Sequence, residues 1–218
     1  MRTCHTRPRC AILILHLVAA FETYGERNYN YVKHVVEKIR ASRDGPNSAP
    51  SLRKPYDGKV GVFPCRSFNL GGQAVTAPHV DEKNLAHGWC AITALGRFDP
   101  NLGGHLILWD FGLAVKFPPG STILIPSALF VHSNAAIQPD ETRAAIVQFA
   151  AGGLFRWSEY LMTEKKWVGQ ATEEDLQRHQ ERQSSRWGKA VGMFTTLEEL
   201  MDSDSQSKGG NVGVINAV

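Results

Sequence analysis

Residues 88–125 read GWCAITALGRFDPNLGGHLILWDFGLAVKFPPGSTILI, and the texture of this stretch decides the fold. Short apolar runs (Gly88 to Leu95, His105 to Leu108, Leu113 to Phe117, Thr122 to Ile125) alternate with turn chemistry at Asp99-Pro-Asn-Leu-Gly-Gly104 and Pro118-Pro-Gly120. Glycine reaches positive φ without a steric cost and proline fixes φ while removing a donor, so each cluster ends a strand. Working outward, Val60 to Phe63 and Gln73 to Ala77 extend the series towards the N-terminus, and Arg143 to Phe149 closes it. Seven or eight short strands between Gly58 and Trp157 predict a jelly roll or sandwich rather than a βαβ fold.

The flanks have a different period. Tyr31, Val32, Val35, Val36 and Ile39 recur at helical spacing and predict an amphipathic helix over residues 29–40, followed by a Ser-, Asn- and Pro-bearing linker from Ala41 to Pro55. After Trp157 the pattern is helical again, polar from Thr172 to Ser184, with Thr195-Thr-Leu-Glu-Glu199 offering a capping box. The expected organisation is an N-terminal helical segment and linker over 1–55, a β core over 56–160, C-terminal helices over 161–201 and a disordered tail over 202–218.

Composition narrows the class. Of 218 residues, 43% are hydrophobic and 21% charged, which excludes wholesale disorder and a membrane protein. The net charge of +3 permits a nucleic-acid partner without declaring one. Cys4, Cys10, Cys65 and Cys90 form no CxxC pair or framework spacing, so they are read as unpaired thiols of a reducing compartment. Ala11 to Phe21 is apolar apart from His16 and follows Arg2, Arg7 and Arg9, the layout of a signal peptide. It is too short to span a bilayer, and the histidine in its centre favours a buried helix or a frayed terminus.

The chemistry sits at His79-Val-Asp81 and His132. Pro78 ends the run Gln73 to Ala77, and in an extended chain residues 79 and 81 project to the same side. His132 follows the turn and apolar run Gly120-Ser-Thr-Ile-Leu-Ile-Pro126, which would deliver it from an adjacent strand. Two imidazoles and one carboxylate form the facial ligand set of non-haem Fe(II) oxygenases, leaving open positions for a 2-oxo acid and O₂. Arg143, eleven residues on, is a cation suited to the distal carboxylate of such an acid. His105 is a further candidate facing the co-substrate and His87 a supporting group. The fingerprints of common hydrolases, P-loops, zinc proteases and dinucleotide folds are absent from the sequence. A Cys90 nucleophile is a competing chemistry without supporting geometry.

These residues, with Asn84, Gly88-Trp-Cys-Ala-Ile-Thr-Ala-Leu-Gly96, Phe98-Asp-Pro-Asn-Leu-Gly-Gly-His-Leu106, Phe117-Pro-Pro-Gly-Ser-Thr-Ile-Leu-Ile-Pro-Ser127, His132-Ser-Asn134 and Ala151-Gly-Gly-Leu-Phe-Arg-Trp157, resemble the 2-oxoglutarate- and Fe(II)-dependent dioxygenases. The narrower likeness is to the TET/JBP group, the ten-eleven translocation methylcytosine oxidases and base J thymine hydroxylases, in particular its fungal branch. The resemblance covers residues 60 to 160. It implies a mainly β, cupin-like double-stranded β-helix flanked by N- and C-terminal α-helices, with His79, Asp81 and His132 holding Fe(II) and Arg143 holding 2-oxoglutarate. It further implies Asn84 and Trp89 against a flipped base, with Phe68 and Trp109 as other aromatic candidates, and Arg53, Arg156, Lys165 and Lys166 towards phosphates.

The implied substrate is DNA carrying 5-methylcytosine. The expected protein is a monomer with no membrane association, nuclear, or of the secretory pathway if residues 1–20 are a signal peptide. Two departures from the family pattern stand out. Ala145 replaces the serine expected two residues after Arg143, and Val80 replaces an arginine between the ligands. They keep open a weakly active or inactive DNA-binding copy, while an authentic signal peptide would favour a 2-oxoglutarate-dependent hydroxylase of a protein or small molecule.

Overall fold

Strands β1 (Cys65–Asn69), β2 (Cys90–Arg97), β3 (Leu106–Leu108), β4 (Leu113–Val115), β5 (Thr122–Ile125), β6 (His132–Asn134) and β7 (Thr142–Phe149) form two sheets in this computed structural model, which describes residues 18–43, 61–161 and 164–207. The large sheet runs β1-β7-β2-β5 and the small one β4-β3-β6, with every strand pair antiparallel. His79 adds an isolated antiparallel rung to His132 on the free side of β6. Followed along the chain, the backbone visits large, small, large, small, small, large, small and large sheets, a sequence symmetric about the β3–β4 connection. That winding is a double-stranded β-helix, the jelly roll expected from the alternating runs.

Period-two alternation gives each central strand two faces. On β2, Cys90, Ile92 and Ala94 enter the core between the sheets together with Phe98, Leu106, Phe117 and Ile125. Ala91 faces the other way, into a second core with Phe21, Val62, Phe63, Ala150 and Phe155. Helix α1 (Glu26–Arg43) covers this outer face through Val32, Val35, Val36 and Ile39 of the stripe read from the sequence, with Tyr29 buried beside them and Tyr31 partly buried at its edge. Each fully buried aliphatic side chain of that stripe contributes roughly 1.5–3 kcal/mol. Residues 18–24 are also helical, and Phe21, at the end of the apolar N-terminal stretch, is completely buried.

Four further helices follow the barrel: α2 (Gly152–Tyr160), α3 (Glu164–Val168), α4 (Glu173–Val191) and α5 (Leu197–Ser207). Thr172 and Asp175 cap α4 reciprocally, and Thr196 and Glu199 cap α5 in the same way. Arg27 on α1 donates to the carbonyls of Gly192 and Phe194 and pairs with Glu199, fastening the α4–α5 junction to the N-terminal helix.

Several sequence expectations shift. Val62 and Phe63 are buried in the helix-side core but form no strand; the first strand is the polar Cys65–Asn69, an edge strand whose pattern is too weak to read. Gln73 to Ala77 makes only one parallel bridge, Gln73 to Arg143, because the chain turns at Gly71-Gly72 and its polar groups are met by side chains instead of a ladder. Helix α5 runs to Ser207, six residues into the stretch read as a tail, with its capping box fixing the first turn. The remainder of the tail, the linker from residue 44, Cys4, Cys10, Arg53 and most of the signal-peptide-like segment lie outside the described residues.

One glycine positions the site. Gly96 sits opposite Arg143 in the β2–β7 ladder at φ 123°, and a Cβ there would collide with the Thr142 carbonyl oxygen. Only glycine combines that backbone conformation with so close an approach.

Candidate active site

His79 and His132 occupy one rung of the small sheet: His79 N donates to His132 O (3.1 Å) and His132 N donates to His79 O (2.9 Å). Such a reciprocally bonded antiparallel pair places both side chains on the same face. The two ring centroids are 4.4 Å apart. Asp81 follows on the same side, its backbone N–H donating to Ser127 O at 3.0 Å, and its Oδ1 lies 3.6 Å from His79 Nε2. One donor atom from each of His79, Asp81 and His132 lies within 4.8 Å of the others.

The orientation of these donors suits a divalent cation. His79 Nδ1 lies 2.8 Å from the Ala77 carbonyl and His132 Nδ1 lies 3.0 Å from the Phe130 carbonyl. A carbonyl can only accept, so both Nδ1 atoms carry the proton and both Nε2 atoms present a lone pair. Backbone carbonyls holding the outer nitrogen are the arrangement that fixes metal-ligating imidazoles. The carboxylate is held as well: Asn84 Nδ2 donates to Asp81 Oδ2 (3.1 Å) and contacts Ser127 Oγ (3.3 Å). Two oriented imidazoles and a fixed carboxylate fit Fe(II), which accepts nitrogen and oxygen ligands.

These residues line one end of a cavity of about 250 Å³ between the sheets. Arg143, Ala145, Val147 and Phe149, the inward residues of β7, line its wall, and Ser67 and Asn69 of β1 lie beside them. Arg143 is 3% exposed. Its Nη1 donates to Ala74 O at 3.0 Å, its Nε has no partner, and no carboxylate among the described residues neutralises it. Burial pulls its pKa below the ordinary arginine value, a group that stays cationic nonetheless. An enclosed guanidinium without an acid calls for an anionic ligand, since an unpaired buried charge is costly. Asn134, two residues after His132 and on the same face, uses its whole amide: Oδ1 accepts from Thr76 N (2.9 Å) and Thr76 Oγ1 (2.7 Å), and Nδ2 donates to Ala74 O and Ala135 O.

His79, Asp81, His132, Arg143 and Asn84 therefore converge, whereas five other candidates do not. His105 precedes Leu106, which takes the inward position, so alternation keeps His105 out of the cavity lining. Trp89 is stacked on Phe21 (5.9 Å) in the helix-side core, one residue out of phase with the inward Cys90. Phe68 is out of phase with Ser67 and Asn69, and it is exposed. Trp109, also exposed, donates its Nε1 to Ser133 Oγ and lies outside the cavity. His87 packs against Tyr31 under α1 instead of supporting a ligand.

Cys90 is 1% exposed, and burial, with the charge of Asp81 adding to it, pushes the thiol up to about 12. It is inert as a nucleophile. Thr76, Asn134, Ser67 and Asn69 are cavity residues that sequence reasoning missed. Asn134 was within reach, because period two from His132 places it inward. Ser67 and Asn69 belong to the unreadable strand β1.

No protein family and no curated protein matches the chain by sequence. Among solved structures, NgTET1 in complex with 5mC DNA is similar at 22% identity and a TM-score of 0.38, over 50% of this chain and 42% of that one. The viral collagen prolyl hydroxylase of Paramecium bursaria Chlorella virus-1, as its 2OG complex, is similar at 14% identity and a TM-score of 0.31, over 65% of this chain and 90% of that one. The chain thus spans under half the length of NgTET1.

Proposed function

We propose that this chain is an Fe(II)- and 2-oxoglutarate-dependent dioxygenase that oxidises the methyl group of a modified base, 5-methylcytosine in DNA. The observation that carries the reading is the pairing within one cavity of His79, Asp81 and His132, with both Nε2 lone pairs presented, and a buried, acid-free Arg143. The motif likeness to the methylcytosine oxidases supports the choice of base. When bound, Fe(II) with O₂ and the 2-oxo acid supplies the oxidising power: 2-oxoglutarate, O₂ and a methyl group become succinate, CO₂ and a hydroxymethyl group.

The chain's own residues supply binding and orientation. His79, Asp81 and His132 would hold the metal, a three-ligand set that would leave it able to take the 2-oxo acid and O₂. Arg143 takes the distal carboxylate, which sets the length and charge of the acid accepted. Asn84 fixes the Asp81 carboxylate through its amide N–H, and its Oδ1, which accepts no hydrogen bond from a described residue, is free to meet a base amino group. A methyl group inside a duplex stack cannot reach an enclosed metal, so the base enters flipped. Arg156, exposed on α2 beside the Gly152 backbone that abuts Asn84, is the candidate for a substrate phosphate in this reading. In this reading the protein works on nuclear DNA as a monomer. Among the described residues no helix is long and apolar enough to cross a membrane.

The test is anaerobic titration with Fe(II) and 2-oxoglutarate, followed by incubation with methylated duplex DNA in air and mass spectrometry of the nucleosides. Hydroxymethylcytosine formed in step with succinate is the expected result. Succinate without any altered nucleoside transfers the reading to a protein or small-molecule hydroxylase, and failure to bind the metal ends it.

A further inference from the structure

Arg143 alone does not complete a carboxylate site. A fork of two guanidinium N–H groups satisfies one lone pair on each carboxylate oxygen, and the remaining pairs need donors that an enclosed cavity must provide. On β7 the next inward residue, Ala145, offers only a methyl group. Thr76 and Asn134 are spent on each other and on Ala74. Two polar cavity residues remain without a side-chain hydrogen bond to any described residue, Ser67 and Asn69. In the β1–β7 ladder Asn69 is directly opposite Ala145, whereas Ser67 is opposite Val147, two residues further from Arg143. Side chains on directly opposed residues stand about 4.5–5.5 Å apart at Cβ, and diagonal ones remain within reach of a long side chain.

We propose that Asn69 is the second carboxylate-binding residue of this site: its Nδ2 donates to the distal carboxylate of the 2-oxo dicarboxylic acid held by Arg143, from the strand opposite the methyl group of Ala145. The neighbouring strand then supplies the donor that β7 lacks, and the pair Arg143 and Asn69 selects for a dicarboxylate over a shorter 2-oxo acid. The inference rests on the proposed dioxygenase reading for the identity of the acid, and on the ladder register for the residue.

The experiment is equilibrium binding, by calorimetry under anaerobic conditions, of 2-oxoglutarate and of pyruvate to the Fe(II)-loaded protein. Asn69→Ala is expected to raise the dissociation constant for 2-oxoglutarate about 10- to 100-fold, the range for one hydrogen bond to a charged group, and to leave pyruvate unchanged. Asn69→Asp, which keeps the shape and sets a negative charge against the carboxylate, is expected to weaken 2-oxoglutarate further. Ala145→Ser added to Asn69→Ala returns a hydroxyl to the opposite strand and is expected to recover most of the loss, a rescue that a merely structural role for Asn69 would not give. Unchanged 2-oxoglutarate affinity in Asn69→Ala and Asn69→Asp overturns the assignment and leaves the dioxygenase reading standing. Equal losses for pyruvate and 2-oxoglutarate also overturn it. If the unaltered protein binds metal but no 2-oxoglutarate, the dioxygenase reading fails and takes the assignment with it.

Discussion

The two faces of the large sheet bury polar atoms to opposite effect. On the cavity face the groups near the rung of His79 and His132 are held by carbonyls and amides, and Arg143 Nε, buried without a partner among the described residues, lies in a cavity that converges on three metal-type ligands. On the helix face Asn28 Oδ1, His87 Nδ1, Trp89 Nε1 and Gln148 Oε1 are equally buried and equally unpaired, yet Trp89 is stacked on Phe21, His87 packs against Tyr31, and none of the four lines the cavity that holds His79, Asp81 and His132. An orphaned polar atom is therefore not in itself a sign of a site. Convergence on a cavity with an uncompensated charge is what separates the two faces.

The comparison breaks most sharply at His132. His132→Ala is expected to abolish Fe(II) binding, read by anaerobic metal titration, while circular dichroism keeps the β signature; retained metal affinity would dissolve the distinction between the faces. Phe21→Ala, on the helix face, is expected to lower unfolding stability by about 3–5 kcal/mol in denaturant titration, with metal affinity per folded molecule unchanged. Loss of metal affinity in that variant would mean that the faces are coupled. Asn84→Ala sharpens the cavity side: removing the amide from Asp81 is expected to weaken metal binding about 10- to 100-fold, as loss of an outer partner does.

The smallest effect belongs to His87, whose pKa burial lowers from 6.5. With the folded-state value depressed, the unfolded chain binds the proton more readily. Stability is thus undiminished above pH 6.5 and declines as pH falls below it towards the folded-state value. His87→Phe is expected to flatten that part of the stability–pH curve, and an unaltered slope would assign the acid sensitivity elsewhere.

The winding of the barrel and its metal-type triad are legible in the sequence because they rest on local signals: turn clusters, apolar runs and the same-side rule for His79 and Asp81. What stays hidden is phase. Trp89 and His105 each miss the cavity by one residue, and alternation turns a one-residue error into the opposite face. Strand β1 is hidden, and β6 is read only through His132, for another reason. CRSFN and HSN carry polar side chains inward, so the chemistry of the site erases the hydrophobic pattern that would reveal the strands bearing it. The segment from Gln73 to Ala77 reads as a strand because its composition is right, and the side chains of Asn134 and Arg143, both donating to the Ala74 carbonyl, show that it is not.

The rung shared by His79 and His132 has an implication for how this molecule comes apart. Among the described residues, the one bridge on the free side of β6 is formed by the two residues whose rings face each other across it, so a breathing motion that frees that border also scatters the donor set. Occupation by a cation would then act as a latch on that border, and losing the latch and losing the seam would be one event.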